Sequence, residues 1–194
     1  MRWTLDPAHT QIGFSIQHMG VTFVAGRFTR FSGRFVIDEN EPDRSSFAVT
    51  LDVDSVTTDN VERDTRLRSP DFFDAGRWPT IAYHSDIITP LGFDTFNVEG
   101  ELTIRGITRP ARLSVKLGGV TVDPEGYRRA GFSARGHIDR EEYGLIWNQP
   151  LEDGGVALGS RVRMEIEAEL VEHPDETGGA DGRVIEAGQR QTDL

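Results

Sequence analysis

The chain has no cysteine among its 194 residues. That absence excludes disulfides, cysteine-ligated zinc, iron–sulfur clusters and thiol nucleophiles together, and it leaves the redox compartment open. Long hydrophobic runs are missing as well. Stretches such as Phe35-Val36-Ile37 fall far short of the ~20 apolar residues that a membrane-spanning helix needs. At the N-terminus, Arg2, Asp6 and Pro7 arrive before any apolar segment of a secretory signal can form. The expectation is a soluble protein without stable membrane insertion, cytoplasmic if the start is natural. Lysine is nearly absent: Lys116 stands alone, and coding bias explains the arginine skew as readily as a need for bidentate contacts. Basic residues number 21 against 32 acidic ones, for a net charge of −11, and the summed field repels phosphates, so no nucleic-acid partner is expected. Catalytic signatures are lacking too. No Gly-x-Ser-x-Gly elbow, no phosphate-cradling glycine loop before a helix and no His-Glu-x-x-His pair is found.

What the chain does contain is alternation. Ile12, Phe14, Ile16 and His18 alternate with Gly13, Ser15 and Gln17, the period of a strand with one buried face. The same reading holds for Phe31–Ile37, Phe47–Val53, Ile81–Ile87, Phe96–Ile104, Ala111–Leu117, Ala130–Ile138 and Val162–Leu170, which makes eight one-sided strands. Gly26 and Gly33 offer places for a curved strand to bend.

The period changes after Ser55. Asp59 is expected to cap a short surface helix, with Glu62 completing a capping box and Pro70 ending the element. Phe72, Phe73 and Trp78 then crowd an irregular stretch between Pro70 and Pro79, and apolar loops of that kind plug or cover something. Residues 172–194 have no period and carry glycines among acidic and polar residues, which reads as a disordered tail following a folded domain of residues 1–171.

Eight such strands with short connections form either a sandwich or a closed barrel, and pattern alone does not choose. An eight-stranded barrel is either just filled by its side chains or holds one small ligand. Here Phe14, Phe31, Phe35 and Phe132 share the inward face with Gly33, Gly100, Ala130, Ala134 and Gly136, a mixture that leaves room for a narrow void.

A family resemblance is carried by Trp3-Thr4-Leu5-Asp6, His9-Thr10, Phe14-Ser15-Ile16-Gln17-His18 and Gly26-Arg27-Phe28. It continues through Arg63-Asp64, Leu67-Arg68-Ser69-Pro70-Asp71-Phe72-Phe73-Asp74, Trp78-Pro79-Thr80-Ile81, Gly100-Glu101-Leu102-Thr103-Ile104-Arg105-Gly106-Ile107-Thr108 and residues 138–147. In order and spacing the chain resembles the YceI-like, polyisoprenoid-binding family. The resemblance implies an all-β fold, an eight-stranded antiparallel lipocalin-like barrel with a long apolar tunnel. It also implies binding of a polyisoprenoid, an isoprenoid quinone precursor or a similar long amphiphile, with no catalytic residues, no cofactor beyond that lipid, and a homodimer. Many relatives carry an export signal, whereas none is expected here, and the tail lies outside the family pattern.

Inward parity and the aromatic loop together nominate a ligand wall: Ile12, Phe14, Ile16, His18, Phe31, Phe35, Leu51, Val53, Phe72, Phe73, Trp78, Ile81, Tyr83, Leu102, Ile104, Leu113, Phe132 and Trp147. His18 is the one inward imidazole, reading either as a donor to a quinone or phenol oxygen at the deep end or as a core histidine satisfied by protein partners. Phe72, Phe73 and Trp78 form a lid or a plug. Tyr83 meets a ligand oxygen or packs across strands. Asp139-Arg140 fixes a loop or trims the cavity entrance. His84 and His137 face solvent, and no two histidines share a face at ligand spacing, so no metal site is expected. Two other classes remain beside the carrier: a cofactor-independent enzyme using His18 and Tyr83 as acid and base, and a packed barrel acting as an interaction module.

Overall fold

The computed structural model describes residues 2–152 and 154–173, Arg2 through its backbone alone. The strands are β1 (Arg2–Leu5), β2 (Gln11–His18), β3 (Thr22–Phe28), β4 (Phe31–Val36), β5 (Ser46–Asp52), β6 (Val56–Thr57), β7 (Thr80–Pro90), β8 (Thr95–Ile104), β9 (Ile107–Val122), β10 (Arg128–Asp139) and β11 (Leu158–His173); the eight alternating segments are β2, β4, β5 and β7–β11, whereas the pattern does not reveal β1, β3 and β6. One helix, α1 (Val61–Arg68), interrupts them. All pairings are antiparallel. The neighbours run β1-β4-β5-β7-β8-β9-β10-β11, and β1 also pairs with β11, so eight strands close into a barrel. Closure is what removes the exposed edges that eight one-sided strands otherwise present.

Closure depends on one strand that alternation does not reveal, β1, and on the length of another, β11. β1 is four residues long, too short for a period, yet Trp3 pairs with Glu172 and with Phe35 and thereby joins the two ends of the ring. β11 carries both β1 and β2 on one edge: residues 170–173 pair with β1, and residues 158–167 pair with β2. Pro7, which has no N–H to offer a ladder, lies between β1 and β2, and the Asp6 carboxylate accepts the Ala8 N–H at 2.9 Å to turn the chain there. β3 then pairs with β2 and meets β6 only at Arg27 and Phe28.

One end of the barrel is plugged. Asn60, rather than Asp59, caps α1 by accepting the Arg63 N–H at 2.9 Å, and no capping box forms. Asp59 instead adopts a left-handed φ of 58° and takes a bidentate contact from Arg27. The buried Asp64 on α1 accepts three hydrogen bonds, from Thr57 Oγ1, Thr58 N and Thr58 Oγ1, and these tie the helix to β6. Burial pushes its carboxyl upward, but the hydrogen bonds outweigh that effect and hold it below the usual range. The irregular aromatic stretch packs under the helix: Phe73 meets Phe28 edge-on at 5.9 Å, Phe28 meets Phe14 at 5.8 Å, and Phe72 meets Trp147 at 5.4 Å. Trp78 closes over the β8–β9 turn, where Arg105 and Gly106 both have positive φ and any side chain at Gly106 would strike the indole.

Arg140 finishes the plug. Its guanidinium is buried and donates to the carbonyls of Gly159, Leu145 and Trp147, gathering the segment between β10 and β11. Asp139 contributes by capping the following turn, accepting the Glu141 N–H at 2.9 Å, rather than by pairing with Arg140. β11 extends to His173, two residues past the expected domain end, and residues 174–194 of the expected tail lie outside the described residues.

Candidate functional site

Above the plug the barrel is hollow. A cavity of about 470 Å³ runs along β5, β7 and β8 and is enclosed by the C-terminal parts of β9 and β11, the N-terminal part of β10 and residues of β1, β2 and β4. That volume falls within the roughly 300–1,000 Å³ range of small-molecule sites. Its floor is Leu51, Ile81 and Leu102, and its mouth lies at Val36, Phe93 and Val120. Phe47 stacks between Phe35 and Tyr83, at 5.7 Å from each, and this aromatic column makes one wall. Met164, Ile166, Ala168 and Leu170, alternate residues of β11, make the opposite one with Ala130, Phe132 and Ala134 of β10.

The interior is almost wholly apolar. Tyr83 supplies a hydroxyl, but it donates to the Ala111 carbonyl at 3.3 Å, and burial holds its pKa far above the usual phenol value. Thr10 is engaged at the wall by the backbone of Glu169. Polar groups concentrate at the mouth, where Asp38, Glu39, Ser45 and Ser46 line one side. Glu39 pairs with Arg128 at 2.8 Å, and Arg128 also lies 5.6 Å above the Trp3 ring, the one tryptophan of the cavity wall.

Of the residues nominated from sequence, Ile12, Phe35, Leu51, Ile81, Tyr83, Leu102, Leu113 and Phe132 come together around the cavity. Phe14, Val53, Phe72, Phe73, Ile104 and Trp147 lie in the core of the plugged end or pack against it, Phe31 sits half-buried on β4, and Trp78 covers Gly106. Ile16 and His18 run on down β2 beside Val162 and Leu158 and take no part in the wall. Parity is not at fault. Ile12, Phe14, Ile16 and His18 share a face, but only the first reaches the hollow half.

The expected small residues divide in the same way. Ala130 and Ala134 do line the cavity. Gly33, Gly100 and Gly136 do not open space: a Cβ at Gly100 would strike the His84 carbonyl, one at Gly33 the Phe35 ring, and one at Gly136 the Arg112 carbonyl. They permit close approach of neighbours rather than a void. Among the lining residues that alternation alone could have reached are Val49, Phe96, Val98, Val115 and Ile166; Trp3, Leu5 and Phe93 carried no periodic signal.

Among the described residues, Asp6, His9 and Glu169 bring ligand-type atoms within 4.8 Å of one another on the outer wall. Arg129 already occupies that cluster, 2.7 Å from Asp6 and 2.6 Å from Glu169, and also holds Asp123 at 2.7 Å. The guanidinium thus bridges the carboxylates, and the cluster ties the segment after β1 to β10 and β11.

The fold is that of a closed antiparallel barrel, plugged at one end and, at the other, hollow and lined almost wholly by apolar side chains. Residues 3–170 match the model of the YceI-like domain, and the chain belongs to that family. It is 37% identical over 137 residues to Protein YceI of Escherichia coli O157:H7, covering 71% of each chain, and 36% identical over the same length to that of Salmonella arizonae. In structure it resembles BcnA of Burkholderia cenocepacia, with a TM-score of 0.74 at 21% identity, covering 85% of this chain and 98% of that one. The YCEI protein of Campylobacter jejuni superposes with a TM-score of 0.69 at 26% identity, covering 87% and 96%. A polyisoprenoid-binding domain of Saccharophagus degradans implicated in plant cell wall breakdown shares the fold, with a TM-score of 0.63 at 17% identity over 87% of this chain and 97% of that one.

Proposed function

We propose that the protein binds and carries a polyisoprenoid, an isoprenoid quinone or a similar long-chain amphiphile, with the hydrocarbon in the barrel and the polar head at the mouth. The observation that carries this reading is the 470 Å³ cavity whose interior offers no free polar group below Asp38, Glu39, Ser45 and Ser46. Each methylene transferred from water into such a space contributes roughly 0.8 kcal/mol. Ten of them yield about 8 kcal/mol before association and ordering costs of several kcal/mol, which leaves useful affinity without any head-group bond. Discrimination therefore belongs to the mouth, the reverse of a head group buried against His18.

The enzyme reading loses its acid–base pair, because His18 is absent from the wall that Tyr83 lines. The packed-module reading does not accommodate the hollow. Extraction of the purified, full-length protein under denaturing conditions, followed by mass spectrometry, tests the carrier reading. A prenylated or fatty amphiphile at near-stoichiometric yield is the expected result. An empty extract, together with no uptake of added prenyl quinone, overturns it.

A further inference from the structure

Three residues of the cavity wall, Val36, Phe93 and Val120, are also exposed to solvent, Phe93 completely. The lining therefore runs out of the mouth onto the surface. Two residues along the chain from Phe93 and from Val120 stand Leu91, in the β7–β8 hairpin, and Val122, at the end of β9, both exposed. The two hairpins are neighbours, since the Leu117 N–H donates to the Asp94 carbonyl at 2.7 Å. A water-soluble protein gains nothing in water from a bare phenyl ring at a loop tip, and a contiguous apolar group of this kind marks a contact surface.

We propose that this collar docks on the surface of a lipid bilayer, so that a hydrophobic ligand passes between bilayer and barrel without crossing water. The proposal rests on the carrier reading and adds the partner from which the cavity is filled. Charge selects the kind of bilayer. The loop 37–45 beside the mouth carries Asp38, Glu39, Glu41 and Asp43 against Arg44, with Arg128 of β10 paired to Glu39, and the whole chain carries −11. An anionic surface is repelled, whereas zwitterionic headgroups accept the apolar hairpin tips at little electrostatic cost. Another exposed apolar group, Met19, Val21 and Phe23 on the β2–β3 hairpin, lies at the plugged end, and Arg163 covers the Phe23 ring at 4.1 Å.

Flotation of the full chain with phosphatidylcholine vesicles, compared with Leu91→Ser/Val122→Ser, tests this. Neither residue lines the cavity. Wild type is expected to float, the double variant to lose about tenfold to a hundredfold in partitioning, as for two aliphatic side chains returned to water, and phosphatidylglycerol to weaken wild-type binding. A Phe93→Trp variant is expected to be quenched by brominated lipid. Absence of flotation, or flotation indifferent to the double variant, overturns docking. So does a wild-type dimer that the double variant dissolves in the absence of vesicle binding, because the collar is then a self-interface. Quenching of Trp3 by a prenyl quinone in vesicle-free solution reads the cavity separately. Quenching without flotation overturns docking alone, and no quenching overturns the carrier reading beneath it.

Discussion

Replacing Ala134 by phenylalanine puts the hollow to its sharpest test. Ala134 faces the cavity from β10, paired with Val115 on one side and Ile166 on the other. The substitution adds six ring carbons to a wall position without changing charge or hydrogen bonding. If the ring displaces only three ligand methylenes, about 2.4 kcal/mol of binding is lost, or roughly fiftyfold in Kd. The effect on folding has a different sign in a void than in a packed core. Overpacking costs ~1–3 kcal/mol, which lowers Tm by roughly 2–4 °C per kcal/mol in a chain of this size, whereas a ring entering empty space leaves Tm unchanged or raises it. Trp3 is buried in the cavity wall and serves as the native reporter, so affinity is read as quenching of its emission during titration with a short-chain prenyl quinone. Weakened binding with an undiminished Tm is the expected pair. Unchanged affinity, or lost affinity accompanied by a fall of several degrees in Tm, refutes the placement of an open, ligand-holding space beside residue 134.

His18→Ala is expected to leave prenyl-quinone affinity unaltered, and a clear loss in the same titration would show that ligand penetrates past Phe14 into the plugged end. Asp64→Ala strips three hydrogen bonds from a buried carboxylate site; a cost of about 3 kcal/mol is expected, seen as a Tm lowered by roughly 6–12 °C in a thermal melt. Burial acts to raise the Asp6 carboxyl, but hydrogen bonds from His9, Arg129 and the Ala8 N–H prevail and hold it at about 2. A depressed folded-state value contributes stability that is present above the unfolded value near 3.8 and is lost as the pH falls through about 2. Denaturant titrations across that interval are expected to show stability falling with acidity in the wild type and a shallower fall in Asp6→Asn, which loses about 1–2 kcal/mol at neutral pH. Parallel slopes for the two proteins would remove Asp6 from that account.

Eight of the eleven described strands, with their alternating faces, and the aromatic loop are legible in the amino-acid sequence, because a period of two survives wherever one side of a sheet is buried; β1, β3 and β6 are not. Height along the barrel is not legible there. Ile12 and His18 have the same parity on β2, yet only Ile12 lines the hollow, since parity distinguishes one face from the other but says nothing of which end of the axis is filled. Trp3 escapes for a different reason. Its place in the wall comes from pairing with Glu172 across almost the whole chain, and a four-residue strand is too brief to show alternation. Gly100 misleads because a missing side chain reads as space from sequence, while in the barrel the His84 carbonyl has already taken that space.

Local chemistry, then, dictated that this chain forms one-sided strands, a short polar helix and an aromatic knot, since each follows from neighbours two to four residues apart. Only the closed tertiary arrangement decided that the knot plugs one end, that the other end stays hollow, and that the hollow opens through bare apolar hairpins. Those outcomes depend on which distant strands meet and at what stagger, and no local pattern in the sequence encodes that.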